Sequence, residues 1–108
     1  MSFKVEITSY FKKQAKRLVK KYPSLRSELE TIIDSLEKEP AQGISIGNNC
    51  YKVRISIASK NKGKSGGARL IINIQFSNEL VYMLSIYDKA EQDNLSDNEL
   101  NDLLEYIP

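Results

Sequence analysis

The sequence predicts an α+β fold in which a helical hairpin packs on a small, mainly antiparallel sheet of four strands, in the order β-α-α-β-β-β-α. Three observations predict it. Apolar residues recur at helical spacing over residues 11–36 and then switch to period two over residues 51–87. The break between the two helical stripes is only a few residues long, which makes the helices antiparallel neighbours. A last, capped helix closes the chain after the strands. At 108 residues, with 41% hydrophobic and 28% charged residues, the chain reads as a single domain, residues 1–108, with one core.

The elements follow in order. Phe3, Val5 and Ile7 alternate with Lys4, Glu6 and Thr8, the pattern of a half-buried strand. Ser9 is expected to cap the next helix, whose apolar stripe is Phe11, Ala15, Leu18 and Val19. Tyr22-Pro23-Ser24 breaks it and starts a second helix on Leu25, Leu29, Ile32, Ile33 and Leu36, which Pro40 and Gly43 end. Tyr51, Val53, Ile55 and Ile57 then face one way, and Lys52, Arg54 and Ser56 the other. A glycine-rich loop over residues 59–67 leads into a strand from about Ala68 to Phe76. Asn78 and Glu79 turn the chain into Leu80–Tyr87, completing a three-stranded meander that the first strand joins. Simple alternation puts Tyr87 on one face with Met83 and Ser85. Ser96-Asp97-Asn98-Glu99 is a capping box, with Leu95 and Leu100 placed as its hydrophobic staple. Leu100, Leu103, Leu104 and Ile107 form the apolar face of the helix it starts.

Composition narrows the chemistry. There is no histidine, so Ser-His-Asp and Cys-His catalysis are excluded, as is any zinc site that uses histidine. Cys50 is the only cysteine and is read as structural. It permits no internal disulfide and suits a reducing cytoplasm. Any acid–base chemistry falls to Lys, Arg, Tyr, Asp or Glu, and no metal site or cofactor is expected. No apolar run reaches the roughly 18 residues of a membrane span, and the start of the chain lacks the apolar core of a secretory signal.

The formal charge of +2 conceals a segregation. Residues 1–21 hold seven Lys or Arg against one Glu, and residues 51–78 hold six against no acid. Residues 79–108 hold eight acids against one Lys. Two basic blocks in a small chain point to a polyanion partner. Lys52 and Arg54 leave the same face of a strand about 7 Å apart, close to the phosphate repeat of an extended nucleic-acid strand. Lys64, Arg69 and Lys89 border that face in the expected fold, and Lys52 and Arg69 are both expected to face solvent. Gly63-Lys64-Ser65-Gly66-Gly67 has the composition of a phosphate loop but lies between two strands with the wrong spacing, so it does not read as a nucleotide site.

Tyr51-Lys52-Val53-Arg54, then Gly63-Lys64-Ser65-Gly66-Gly67-Ala68-Arg69-Leu70-Ile71, then Ile86-Tyr87-Asp88-Lys89-Ala90-Glu91-Gln92-Asp93-Asn94-Leu95-Ser96, resembles the RelE/HigB-like toxins of type II toxin–antitoxin modules, within the RelE/ParE superfamily. The resemblance spans nearly the whole chain. It implies a cytoplasmic, ribosome-dependent messenger-RNA endoribonuclease that uses no metal or cofactor. It also implies a cognate antitoxin protein as partner, and contact with operator DNA only through the antitoxin complex. In that reaction the RNA 2′-hydroxyl attacks its own phosphodiester, leaving a 2′,3′-cyclic phosphate and a 5′-hydroxyl. The residues then implied as catalytic are Lys52, as base or as the cation that favours the 2′-oxyanion, and Arg54 and Arg69, as stabilisers of the phosphorane. Lys64 or Lys89 supplies the general acid or a further clamp. Tyr87 stacks on a base, donates a proton, or is a core tyrosine. Lys12, Lys13, Lys16, Arg17, Lys20, Lys21, Lys60 and Lys62 are the expected RNA and ribosome contacts. Some members of the family carry an arginine late in the fourth strand and a tyrosine in the last helix. This chain has no arginine after Arg69 and only Tyr106 in that helix. The last helix is expected against the sheet near Lys52, Arg54 and Arg69, either closing the core or giving way to the antitoxin. Two other readings fit the sequence: a ParE-like toxin acting on DNA gyrase, and a nucleic-acid-binding module without catalysis.

Overall fold

The computed structural model describes residues 2–60, 66–92 and 94–108. Its elements are β1 (Lys4–Ile7), α1 (Ser9–Lys21), α2 (Leu25–Lys38), β2 (Ile44–Gly47), β3 (Cys50–Ile55), β4 (Ala68–Gln75), β5 (Leu80–Asp88) and α3 (Asp97–Leu104). Short 3-10 turns lie at Ala58–Lys60 and Phe76–Asn78. The α+β class stands, but the sheet has five strands rather than four, in the order β1-β5-β4-β3-β2. The pair β1–β5 is parallel and the other three are antiparallel.

The strand that sequence reading missed is β2. Its four residues, Ile44-Ser45-Ile46-Gly47, lie between Gly43 and the reversal at Gly47-Asn48-Asn49, so their single Ile-x-Ile repeat is hidden among turn-forming residues. There Gly47, Asn48 and Asn49 all take positive φ, a region open to glycine and tolerated by asparagine. Gly43 enters β2 with φ +85°, and a Cβ on it would collide with the carbonyl of Lys52. The first helix is capped by Thr8 rather than Ser9. Thr8 Oγ1 accepts from the amide of Phe11 at 3.3 Å and donates to the carbonyl of Met83 at 3.0 Å, so one hydroxyl fixes both the helix start and its seat on β5.

Helices α1 and α2 cover one face of the sheet. Phe11, Leu18, Leu25, Leu29 and Leu36 pack there on Val53, Ile55, Leu70, Ile72, Ile74, Val81, Met83 and Ile86. The opposite face carries a second apolar cluster, in which Leu100 and Leu103 of α3 bury Cys50, Ile71, Leu84 and Tyr87. This helix has both arms of its capping box: the amide of Glu99 donates to Ser96 Oγ, and the amide of Ser96 donates to Glu99 Oε1. Leu95 joins Leu100 in the same cluster.

A bulge in β5 overturns the simple alternation. Ile72 pairs with Met83 and Ile71 with Ser85, leaving Leu84 as the extra residue. Met83 therefore faces α1 and α2, while Leu84 and Tyr87 face α3. Beside the bulge, beyond the end of β1, the amide of Ile86 donates to Gln14 Oε1 at 3.0 Å and Ser85 Oγ donates to the same atom at 2.8 Å. A side chain of α1 thus satisfies the strand edge that β1 does not reach. Among the described residues no helix is long and apolar enough to cross a membrane.

Candidate active site

Strand register assembles the candidate site. On β3, Cys50 packs in the α3-side cluster, so Lys52 and Arg54, two and four residues on, share that face. Arg54 pairs with Arg69 on β4, and Arg69 pairs with Tyr87 on β5. The three side chains form one cross-strand row, with neighbouring strands about 4.8 Å apart. Lys52 heads the adjacent row, opposite Ile71 and then Ser85. Lys52, Arg54 and Arg69 are thereby brought onto one patch, and Tyr87 joins them only because the Leu84 bulge turns it to this face.

The four are held differently. Arg54 is exposed and Lys52 half-buried. Arg69 is only 4% exposed, contrary to the expectation of a solvent-facing side chain, and its Nη1 donates to the carbonyl of Ala68 at 3.2 Å. Its position on a central strand, flanked by β3 and β5, submerges it. Tyr87, also 4% exposed, packs in the α3-side cluster. The expected face with Met83 is ruled out by the Leu84 bulge. Lys52 also lines a small recess with Ile46, Asn94, Leu95, Ser96, Asp97 and Leu100, so the acidic start of α3 lies beside the base candidate. Lys89 follows β5 and is half-buried, and its amide donates to the carbonyl of Gly67 at 3.0 Å. Gly67 is buried against β3, where a Cβ would collide with the carbonyl of Ile55, so only glycine fits there. Lys62 and Lys64 lie outside the described residues.

The other expected RNA and ribosome contacts among the described residues separate into three groups. Lys12, Lys13, Lys16 and Lys20 are exposed along α1. Arg17 and Lys21 pair with Glu91, at 2.8 Å and 3.5 Å. The hydrogen bond and charge of Glu91 raise Arg17 above its ordinary value, and Arg17 holds Glu91 below the usual carboxylate range. Lys60 does not stand with the exposed cations. Its side chain is 9% exposed, its ammonium is bound to Asp88, and it lies 5.5 Å from the centre of the Tyr22 ring.

Asp88 is a residue that sequence reading gave no role. It is 0% exposed and accepts from Tyr22 Oη at 2.7 Å, from Lys60 Nζ and from the amide of Ala90 at 2.9 Å. Burial pushes its carboxyl upward, but the donors and the charge of Lys60 outweigh it and leave Asp88 below its ordinary value. An acid ending an otherwise apolar strand was the available signal. Cys50 is fully buried, and burial pushes its thiol up, away from the reactive thiolate. Among the described residues no group of three or more Cys, Asp or Glu is placed to hold a metal ion.

Fold and patch together define a class: a twisted five-stranded sheet, helical on both faces, that concentrates basic side chains on β3 and β4 beside a short acidic helix. Solved structures with a similar fold include toxins. The fold matches a double-arginine mutant of the E. coli toxin RelE in the free state, at TM-score 0.60 and 15% identity, over 100% of both chains. It also matches the toxin–antitoxin complex RelBE2 of Mycobacterium tuberculosis, at TM-score 0.59 and 16% identity, over 82% of this chain and 99% of that one. The isolated E. coli RelE toxin matches at TM-score 0.53 and 13% identity, over 98% and 100%. The family model described as the RelE toxin of the RelE/RelB toxin–antitoxin system matches residues 4–107, and the chain belongs to that family.

Proposed function

We propose that this RelE-family toxin is a cytoplasmic, ribosome-dependent messenger-RNA endoribonuclease, restrained by a cognate antitoxin. The observation that carries the reading is the register that places Arg54 beside Arg69 with Lys52 on the adjoining row. Three cations on one sheet face, with no acid in β3 or β4, favour an anionic occupant. An RNA phosphodiester supplies one, and its own 2′-hydroxyl supplies the nucleophile.

In this mechanism Lys52 takes the 2′-proton or stabilises the 2′-oxyanion. Arg54 meets the phosphorane oxygens from the surface with its planar fork. Arg69, fixed beneath, contributes charge that needs no reorganisation during the reaction. Lys89 or Lys64 protonates the leaving 5′-oxygen. Tyr87, buried under α3 as a core tyrosine, stands opposite Arg69 on the next strand and supports the row from within. Nothing in the set is a strong base, so in-line geometry has to be imposed by the ribosome, and naked RNA is cut poorly. Lys12, Lys13, Lys16 and Lys20 supply a basic face toward ribosomal RNA, with Arg17 and Lys21 tempered by Glu91.

Inducible expression in bacteria with mapping of messenger-RNA 5′ ends tests the reading. Growth arrest with new 5′-hydroxyl ends at ribosomal A sites is the expected result. Arrest with intact messages and inhibited gyrase identifies the ParE-like alternative instead.

A further inference from the structure

We propose that Asp88, clamped by Lys60 and Tyr22, is a positioning group for the cationic patch. It ties both limbs of the β3–β4 connection to the end of β5, and so sets where Arg69 and Lys89 stand. The inference rests on the endoribonuclease reading for its kinetic arm only.

The connectivity around one carboxylate carries it. Lys60 ends the 3-10 turn Ala58–Lys60, the limb that enters the connection. That turn is itself fastened to the start of α2: the amide of Ala58 donates to Glu28 Oε2 at 2.8 Å, and the amide of Ser59 donates to Ser24 Oγ at 2.9 Å. On the exit limb, Ala68, the residue before Arg69, pairs with Asp88 across the sheet. One residue on, the amide of Lys89 holds the carbonyl of Gly67. The carboxylate also takes the amide of Ala90, and the carbonyl of Asp88 takes the amides of Glu91 and Gln92, at 3.0 Å and 3.1 Å. From the other side Tyr22, at the end of α1, donates its hydroxyl. Asp88 is therefore the point where the entry limb, the exit limb, the segment bearing Lys89 and the end of α1 meet.

Stability alone is a weak reason for this arrangement. Desolvation offsets much of the attraction within a buried ion pair, and apolar residues of the same volume often serve stability as well. A buried pair with three donors on one carboxylate does provide a single geometry. Lys60 also neutralises Asp88 locally, so an acid can sit beside the patch without cancelling the charge of Arg69 and Lys89. The charge of Lys60 thus serves the site from within the fold rather than by touching RNA.

The test compares the wild type with Lys60→Met, Tyr22→Phe and the double variant Lys60→Met/Asp88→Asn, which removes both charges and leaves none buried alone. Single-turnover cleavage is measured on purified ribosomes programmed with messenger RNA, over a range of toxin concentration. Lys60→Met and the double variant are expected to lower the rate at saturation by about 10-fold or more, the scale of a small misplacement of reacting groups. The half-saturating concentration is expected to stay near that of the wild type, and the double variant to melt near the wild type without regaining its rate. A folded Lys60→Met that cleaves at the wild-type rate overturns the proposal, as does a double variant that regains stability and rate together. NMR supplies an arm without activity. The Arg69 Nε–H signal and the amides of Gly67 and Lys89 should shift in the variants, while those of Leu100 and Leu103 hold. Unmoved Arg69, Gly67 and Lys89 signals overturn the positioning claim even if the wild-type protein proves not to cleave RNA, a result that would overturn only the reading of the reaction.

Discussion

Lys52, Arg54 and Arg69 carry the same charge under three degrees of cover, and this sets what their removal does. Lys52 is half-buried and Arg54 exposed, so truncating either changes the surface and leaves both apolar clusters intact. Lys52→Ala is expected to lower ribosomal cleavage by about 100-fold or more, the scale of losing one charge-stabilising donor, with an unchanged thermal midpoint. Arg69→Ala mixes that loss with a cavity under the sheet, so a drop in activity there has to be read beside a melting curve. The buried pair gives a pH signature. Asp88 titrates below its unfolded value of about 3.9, so its stabilising contribution is present above that value and lost as pH falls through the lower, folded one. Asp88→Asn leaves Lys60 buried without a counter-charge and is expected to cost about 3 kcal/mol at pH 7. In urea melts that deficit should shrink below about pH 4, as the wild-type carboxyl protonates too. A deficit independent of pH removes the ionic account. Sequence showed the cations of β3 and β4 but not which were spent inside. Lys60 in a polar, glycine-rich stretch looks like any loop lysine, and its partner lies 28 residues away at the end of β5.

At the scale of elements, local signals survived folding and long-range ones did not. The capping box was legible because all of its chemistry lies within four consecutive residues, Ser96 to Glu99. The helical hairpin was legible because α1 and α2 each repeat their apolar stripe over three turns or more. Strand β2 was not, being enclosed by the turn-forming Gly43 and Gly47-Asn48-Asn49, and neither was the Leu84 bulge, which no propensity marks and which decides the face of Tyr87. Helix α3 has eight residues, too few to persist without packing. Its stability therefore divides into a cap and an anchor, which separate by mutation. Ser96→Ala is expected to cost about 1 kcal/mol by orphaning the amide of Glu99. Leu103→Ala, at a 5% exposed position over the Cys50–Ile71–Leu84–Tyr87 cluster, is expected to cost about 2–4 kcal/mol. Denaturant midpoints measure both. A Leu103→Ala midpoint equal to that of the wild type means that α3 does not close this face in solution.

Across the whole molecule, charge is sorted by surface. The exposed lysines of α1 form one basic region, and the β3–β4 patch forms another next to acidic α3. If the first region holds ribosomal RNA and the second performs cleavage, the two separate kinetically. Replacing Lys12, Lys13, Lys16 and Lys20 with Gln keeps helix propensity and touches neither apolar cluster, so the fold should be retained. Each lysine that neutralises a phosphate releases a counterion, so the slope of log affinity against log salt should fall by about 0.7 to 0.9 for each phosphate no longer neutralised. Affinity for ribosomes should fall with it, most steeply at low ionic strength, while the cleavage rate at saturating toxin stays that of the wild type. Lys52→Ala should show the reverse, a lower saturating rate with a nearly unchanged salt slope. Arg17 and Lys21 make an internal comparison. Both are already paired with Glu91, so neutralising them should change the slope less per charge than neutralising their exposed neighbours. Titrations of ribosome binding at several salt concentrations, run beside single-turnover cleavage, read all of these quantities. A quadruple variant that binds ribosomes with the wild-type slope would show that α1 faces solvent in the complex and that the polyanion is held by the β3–β4 patch alone.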